Sequence, residues 1–139
     1  MEIGDILAWE RSFTVEEVAA FCRVTGDLAR HHTEPDPAGR LMVPGLLTAS
    51  LPTRIGGTLD FLVQEATFEF RRPVWTGERI RCEVTITDLT ADGDRTRMHA
   101  DLRCFRPGGR EVLVGRCRGF VPAPLLEVRA RPASLLPDP

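Results

Sequence analysis

Pro44-Gly45-Leu46-Leu47-Thr48-Ala49-Ser50-Leu51 contains only apolar or small residues, and no charge follows until Arg54. Such a run reads as a buried helix, opened by Pro44 or Gly45. Gly56-Gly57 is expected to stop it. Pro52 lacks a backbone donor and is expected to kink it or end it early. A helix with so little polar surface must be covered on all sides, so the rest of the chain has to supply the cover.

The cover lies on the C-terminal side. From residue 60 the hydrophobic period changes to two. Ala66, Phe68 and Phe70 alternate with Thr67, Glu69 and Arg71. Ile80, Cys82, Val84 and Ile86 alternate with arginine, glutamate and threonine, and Thr96, Met98, Ala100, Leu102 and Cys104 alternate with Arg95, Arg97, His99, Asp101 and Arg103. A fourth run spans about 111–121, and turn residues at 73–77, 91–94 and 107–109 separate the runs. This predicts a four-strand antiparallel meander with one buried and one exposed face. The class is α+β, a curved sheet around a central apolar helix, and the open side of such a sheet seeks a partner.

On the N-terminal side, Phe13-Thr14-Val15-Glu16-Glu17-Val18 carries a capping box (Thr14, Glu17) and a hydrophobic staple (Phe13, Val18). Val15, Val18, Ala19 and Cys22 form an apolar stripe, so a helix is expected to about Val24, stopping near Gly26. Residues 27–43 read as an irregular loop, yet they hold His31 and His32. A loop this long in a compact unit is usually functional or mobile.

At 139 residues one domain is expected, over 1–121, followed by a Pro-rich tail over 122–139. The 18 basic and 20 acidic residues leave a formal charge of −2, too little field to drive nucleic-acid binding. Every basic residue is Arg. The absence of Lys excludes Schiff-base chemistry and the Walker phosphate loop. Cys22, Cys82, Cys104 and Cys117 make no C-x-x-C pair, and the N-terminus is not a signal peptide, so a reduced, cytoplasmic setting is expected. No apolar run approaches a membrane span.

The chemistry concentrates in Thr25-Gly26-Asp27, His31-His32 and Gly45-Leu46. A carboxylate and an imidazole five residues apart can share one water, with histidine moving a proton near neutral pH. A helix start at Gly45-Leu46 offers free amides that can stabilise negative charge developing on a carbonyl oxygen. His31 competes with His32 for the same role but sits one residue short. Asp27, His31 and His32 lack the spacing of a zinc site on a helix, so no metal is expected.

These residues resemble the MaoC-like hydratases, including the (R)-specific enoyl-CoA hydratases. Phe13, Thr14, Glu16, Glu17, Val18, Phe21, Thr25, Gly26, Asp27 and His32 match the first part of the family pattern. Gly45, Leu46, Leu47, Ser50 and Leu51 match the second. Phe68-Glu69-Phe70-Arg71-Arg72-Pro73-Val74-Trp75-Thr76-Gly77-Glu78 is similar to the later strand and turn, and the resemblance covers about residues 10–121. It implies a hotdog fold, usually a homodimer, that hydrates trans-2-enoyl thioesters or dehydrates (R)-3-hydroxyacyl thioesters. The carrier would be coenzyme A or acyl carrier protein, with no metal or organic cofactor. Asp27 and His32 would activate water, the Gly45 amide would polarise the carbonyl, and Ser50 would support the site loop. The sequence departs from the pattern at Ala29-Arg30 in place of Asn-Pro, at Pro44 in place of His, and at Pro52 in the helix. Arg30 would bring a cation near the site.

Two other readings stay open. A hotdog thioesterase commonly carries a carboxylate on or facing the central helix. None lies between Gly45 and Arg54, but Asp60 and Glu65 follow it. A non-catalytic acyl-thioester-binding protein is the other, favoured by the altered Ala29-Arg30 pair. Arg71, Arg72 and Arg106 are candidates for carrier phosphates, with a solvated sheet face as the plainer reading of the strand arginines.

Overall fold

The computed structural model describes residues 1–122. The tail expected over 122–139 therefore lies outside the described residues beyond Pro122.

Five strands and four short helices follow one another: β1 (Ile6–Arg11), α1 (Val15–Thr25), α2 (Arg30–Thr33), α3 (Gly45–Thr48), α4 (Leu51–Thr58), β2 (Leu62–Phe70), β3 (Ile80–Asp92), β4 (Arg95–Phe105) and β5 (Glu111–Pro122). All strand pairs are antiparallel, in the order β1-β3-β4-β5-β2. Two expectations are corrected here. The N-terminal segment before Phe13 is a strand, and only β3-β4-β5 form a meander. Strand β2 does not pair with β3. It crosses to the far edge beside β5, because the 71–79 turn is anchored there by the Arg71 and Arg72 amides, which donate to Val112 O at 2.9 and 3.4 Å. Strand β1 was hidden because Ile6–Arg11 has little alternation: Ala8 and Trp9 are both buried in succession.

The inward residues of β3 and β4 pair register for register, Cys82 with Cys104, Val84 with Leu102 and Ile86 with Ala100. With Trp9, Phe13, Val18, Leu51, Ile55 and Leu113 they build the core. Strand β2 comes so close to β5 that a Cβ on Gly119 would run into the Leu62 carbonyl oxygen. Only glycine permits this approach.

The apolar helix is broken in two. α3 is a single turn, and α4 starts after Ala49 and Ser50. Pro52 sits in the first turn of α4, where no amide donor is needed, so it begins this helix and does not end it. Gly56 and Gly57 do not stop α4, which runs on to Thr58. The start of α4 is fixed from the sheet: Trp9 Nε1 donates to Leu51 O at 2.7 Å. The Arg54 guanidinium lies 4.8 Å from the Trp9 ring centroid.

α1 forms as its sequence dictates. Thr14 and Glu17 close the capping box, Arg11 pairs with Glu17, and Gly26 ends the helix in the left-handed region at φ 77°. Val18 and Cys22 face the core. Among the described residues no helix is long and apolar enough to cross a membrane.

Candidate active site

Asp27 follows the Gly26 cap directly, so the end of α1 sets its position. Its Oδ1 accepts from Ala29 N at 3.2 Å, a local turn that turns Oδ2 toward the next helix. The expected loop is not wholly irregular, since α2 supplies one helical turn there. Ala29 stands at its N-cap with no side chain able to cap. The turn is held instead by His32 N to Ala29 O at 2.9 Å and Thr33 Oγ1 to Ala29 O at 3.3 Å.

His32 is 7% exposed, and its Nδ1 lies 2.7 Å from the Met42 carbonyl oxygen. A carbonyl can only accept, so Nδ1 carries a hydrogen and, in the neutral ring, Nε2 holds the basic lone pair. That Nε2 stands 3.6 Å from Asp27 Oδ2. The gap is too long for a good direct bond and suits a shared donor such as water. Burial pushes the nearby Cys22 thiol up, and the Asp27 charge adds to this, so Cys22 stays protonated and is no nucleophile.

Met42 was not singled out in the sequence, because its contribution is a backbone carbonyl. Its position comes from the 74–76 turn: Val43 N donates to Val74 O at 2.8 Å, Thr76 N to Leu41 O at 3.0 Å, and Leu41 N to Thr76 Oγ1 at 3.0 Å. Glu78 Oε1 closes that turn on Trp75 N at 2.7 Å. The Pro73-Val74-Trp75-Thr76-Gly77-Glu78 motif thus orients His32 from a distance.

His32 and Gly45 line one cleft of about 410 Å³, together with His31, Phe70, Arg71 and Arg72. The amides of Gly45 and Leu46 have no acceptor among the described residues. The Leu46 side chain is 65% exposed, so this residue can serve only through its backbone. With a single turn in α3 the site gains individual N–H donors and little macrodipole. A Cβ at Gly45 would stand 3.0 Å from the Phe70 ring, so Phe70, also missed in the sequence, sets the width beside the amide.

The remaining predicted residues are more peripheral. His31 is exposed, lines the cleft and meets the His32 ring edge-on with centroids 3.9 Å apart. Arg30 is turned away from Asp27 and His32: its side chain is 86% exposed and pairs with Glu34 at 3.1 Å. Ser50 Oγ donates to Leu47 O at 2.5 Å, stabilising the break between α3 and α4, and Ser50 is not among the cleft residues. Asp60 and Glu65 are not cleft residues either, and Glu65 pairs with Arg118 at 3.0 Å. Among the described residues no three His, Cys, Asp or Glu side chains gather as a metal-ligand set.

A second, apolar cavity of about 300 Å³ lies next to the cleft, between α4 and the sheet, lined by Ile55, Leu59, Phe61, Met98 and Cys117 among others. Thr48 and Phe70 face the cleft while Ala49 and Phe68 face the cavity, and the two phenyl centroids are 6.4 Å apart. The wall between the two spaces is therefore thin. Burial raises the Cys117 thiol to about 11.

Comparison with known proteins agrees with the fold. The chain is 27% identical to the (R)-specific enoyl-CoA hydratase of Aeromonas caviae over 124 residues, covering 83% of this chain and 91% of the relative. The solved structure of the A. caviae (R)-hydratase superposes with a TM-score of 0.78 over 88% of this chain and 98% of that one. The chain has the hotdog fold and is homologous to an (R)-specific enoyl-CoA hydratase and a 3-hydroxyacyl-[acyl-carrier-protein] dehydratase. It also shares 25% identity over 134 residues with the mitochondrial 3-hydroxyacyl-[acyl-carrier-protein] dehydratase FERN of Solanum lycopersicum, covering 91% of this chain and 81% of the relative. A MaoC-like dehydratase from Rhodospirillum rubrum, 18% identical, has the same fold at a TM-score of 0.71 over 90% of this chain and 96% of that one. No family model matches the chain.

Proposed function

We propose that this hotdog protein is an acyl-thioester hydro-lyase that hydrates trans-2-enoyl thioesters or, in reverse, dehydrates (R)-3-hydroxyacyl thioesters. The observation that carries the reading is the 3.6 Å pairing of Asp27 Oδ2 with the basic nitrogen of a buried, carbonyl-pinned His32; His32 lines the same cleft as Gly45, and Asp27 reaches that cleft only through His32. The A. caviae and tomato relatives, named as a hydratase and a dehydratase, support it.

In this reading a water donates one hydrogen to Asp27 and the other to His32 Nε2. As its oxygen bonds to C3 of the enoyl group, His32 takes the proton. Electron density moves to the thioester oxygen, where the Gly45 N–H, and the Leu46 N–H behind it, stabilise the charge. The enolate then collapses as His32 Nε2 passes the proton it took from water to C2, so H and OH add across the double bond and the neutral imidazole is restored. No metal or organic cofactor takes part. The apolar cavity beside the cleft is suited to an aliphatic acyl chain, since its lining is almost wholly carbon. Glu65 is already paired with Arg118, and neither Asp60 nor Glu65 pairs with His32 as Asp27 does, which favours hydration over a thioesterase arrangement.

The protein acts as a homodimer in this reading, in a reducing cytoplasmic setting that suits its four free cysteines. β2 is an edge strand, paired with β5 on one side only, with Leu62 67% and Val63 52% exposed, a surface that a second copy would cover. Replacing Val63 with Lys should yield monomers in sedimentation velocity; an unchanged species would remove β2 as the contact.

The deciding assay uses crotonyl-CoA with a thiol reagent present. Hydration removes the enoyl absorbance and releases no thiol. Thiol release would make the protein a thioesterase. Binding without either change, with acyl-carrier-protein thioesters also inert, would make it a binding protein.

A further inference from the structure

The cleft carries a charge that the hydration chemistry does not use. It runs from buried His32 out to exposed Arg71 and Arg72, and its lining holds two guanidiniums and no carboxylate. The neighbouring acids are already committed. Arg71 takes Glu69 at 3.2 Å and Glu111 Oε2 at 3.0 Å, and the other Glu111 oxygen faces Arg103 at 3.5 Å. Arg72 makes a single contact, Nη1 to the Glu111 backbone oxygen at 2.6 Å, which neutralises no charge. Here Arg71, Arg72 and Arg103 share Glu69 and Glu111, so one positive charge is left over at the mouth of the cleft.

The surplus guanidinium also has a fixed base. The Arg71 and Arg72 amides both donate to Val112 O, and Pro73 restricts the backbone that follows. Nη1 is tethered, while Nε and Nη2 have no acceptor among the described residues. A planar pair of donors with unmatched charge fits two oxygens of a phosphate. Arg106, the third arginine of this region, is already engaged: it donates to Pro73 O at 2.7 Å and reaches Glu78 at 3.3 Å. It braces the turn that carries Arg72.

We propose that Arg72, with Arg71 beside it, binds the phosphate at the end of a pantetheine arm, so that the cleft recognises its substrate's carrier as well as its acyl group. The identity of this ligand rests on the acyl-thioester reading above. The phosphate is common to coenzyme A and to a phosphopantetheinylated carrier protein.

The test is binding without turnover. Wild-type protein, Arg72→Gln, Arg72→Lys and a control, Arg97→Gln on the solvated face of β4, are titrated calorimetrically with pantetheine, 4′-phosphopantetheine and coenzyme A. Wild type should bind phosphopantetheine at least about tenfold tighter than pantetheine, as expected for charge-assisted hydrogen bonds. Arg72→Gln should erase that difference for phosphopantetheine and weaken coenzyme A alike. Arg72→Lys should recover part of it, and Arg97→Gln should change nothing. Equal affinities for the phosphorylated and plain arms in wild type would overturn the proposal. So would an Arg72→Gln effect of equal size on both, or one seen with coenzyme A alone, which would put the contact at the nucleotide end. Because no catalysis is read, failure here is distinct from a wild-type protein that leaves crotonyl-CoA unchanged.

Discussion

Replacing Asp27 with Asn changes the proposed water site while sparing the fold. The amide is isosteric with the carboxylate, and its oxygen can keep the 3.2 Å bond from Ala29 N. That choice turns the NH2 group toward His32 Nε2, where Oδ2 stood at 3.6 Å. The site then has a donor in place of an acceptor. Water loses one of its two partners, and the lone pair of Nε2 can be occupied by the amide. Losing acid–base assistance costs about 10²–10⁴ in rate, which at 1.36 kcal/mol per tenfold raises the barrier by about 2.7 to 5.4 kcal/mol. Stability should change by less than about 0.5 kcal/mol, because the Asp27 side chain is 47% exposed and makes no core contact. Initial rates with crotonyl-CoA, followed by enoyl absorbance, give the first quantity and urea unfolding gives the second. A variant that folds normally and keeps a rate within about threefold of wild type would refute the shared-water arrangement. His32→Ala is the harsher companion. It leaves the Met42 carbonyl without its partner at a cost of about 1–3 kcal/mol, so its rate must be read beside its unfolding curve.

Gly45→Ala should lower kcat/KM on the order of tenfold, because the new Cβ, 3.0 Å from the Phe70 ring, displaces a group that borders the reacting carbonyl. Adding Phe70→Ala should return part of the loss in the same assay, and no recovery would mean the ring is not the obstacle. Gly119→Ala should destabilise by about 1–3 kcal/mol or more in denaturant unfolding, since its Cβ would collide with backbone of β2 that cannot move independently of the sheet. The Glu17 carboxyl is opposed by burial but held below its ordinary 4.5 by hydrogen bonds and charge from Arg11 and by Thr14. A lowered folded-state pKa adds stability above the unfolded value, and that stability fades as pH falls through the folded one. Glu17→Gln should therefore melt lower than wild type at pH 7, with the gap closing below about pH 4.5.

Some of this was legible in the sequence because it is local. The Thr14-Glu17 capping box, the Gly26 stop and the alternation of β3 and β4 each depend on residues a few positions apart. The nearness of Asp27 and His32 was legible for the same reason, being fixed by the end of α1 and a single turn. What was missed depends on partners distant in sequence. Strand β1 reads as mixed because its burial is decided by Trp9 reaching Leu51 across the core. The place of β2 depends on two amides after it bonding to Val112. Met42 contributes a carbonyl, which side-chain reasoning cannot see. Pro52 acts as a breaker only for a helix that begins at Gly45. Once α4 begins at Leu51, the same proline is a good first-turn residue.

The break at Ala49 and Ser50 explains how one apolar run can serve two purposes. A continuous helix from Gly45 to Thr58 would point one end in one direction and offer one face to the sheet. Splitting it lets α3 place Gly45 on the cleft with His32 and Arg72 while residues of α4 line the apolar cavity. The Ser50 hydroxyl takes the Leu47 carbonyl at the joint, where the regular helical pairing is interrupted. The residues at this joint also border both spaces, Thr48 on the polar side and Ala49 on the apolar side. A substrate with a charged carrier, a polar reacting carbonyl and a hydrocarbon tail needs these three environments in that order. In the proposed reading they are offered in turn by Arg72, by the Gly45 amide with His32, and by the cavity under α4.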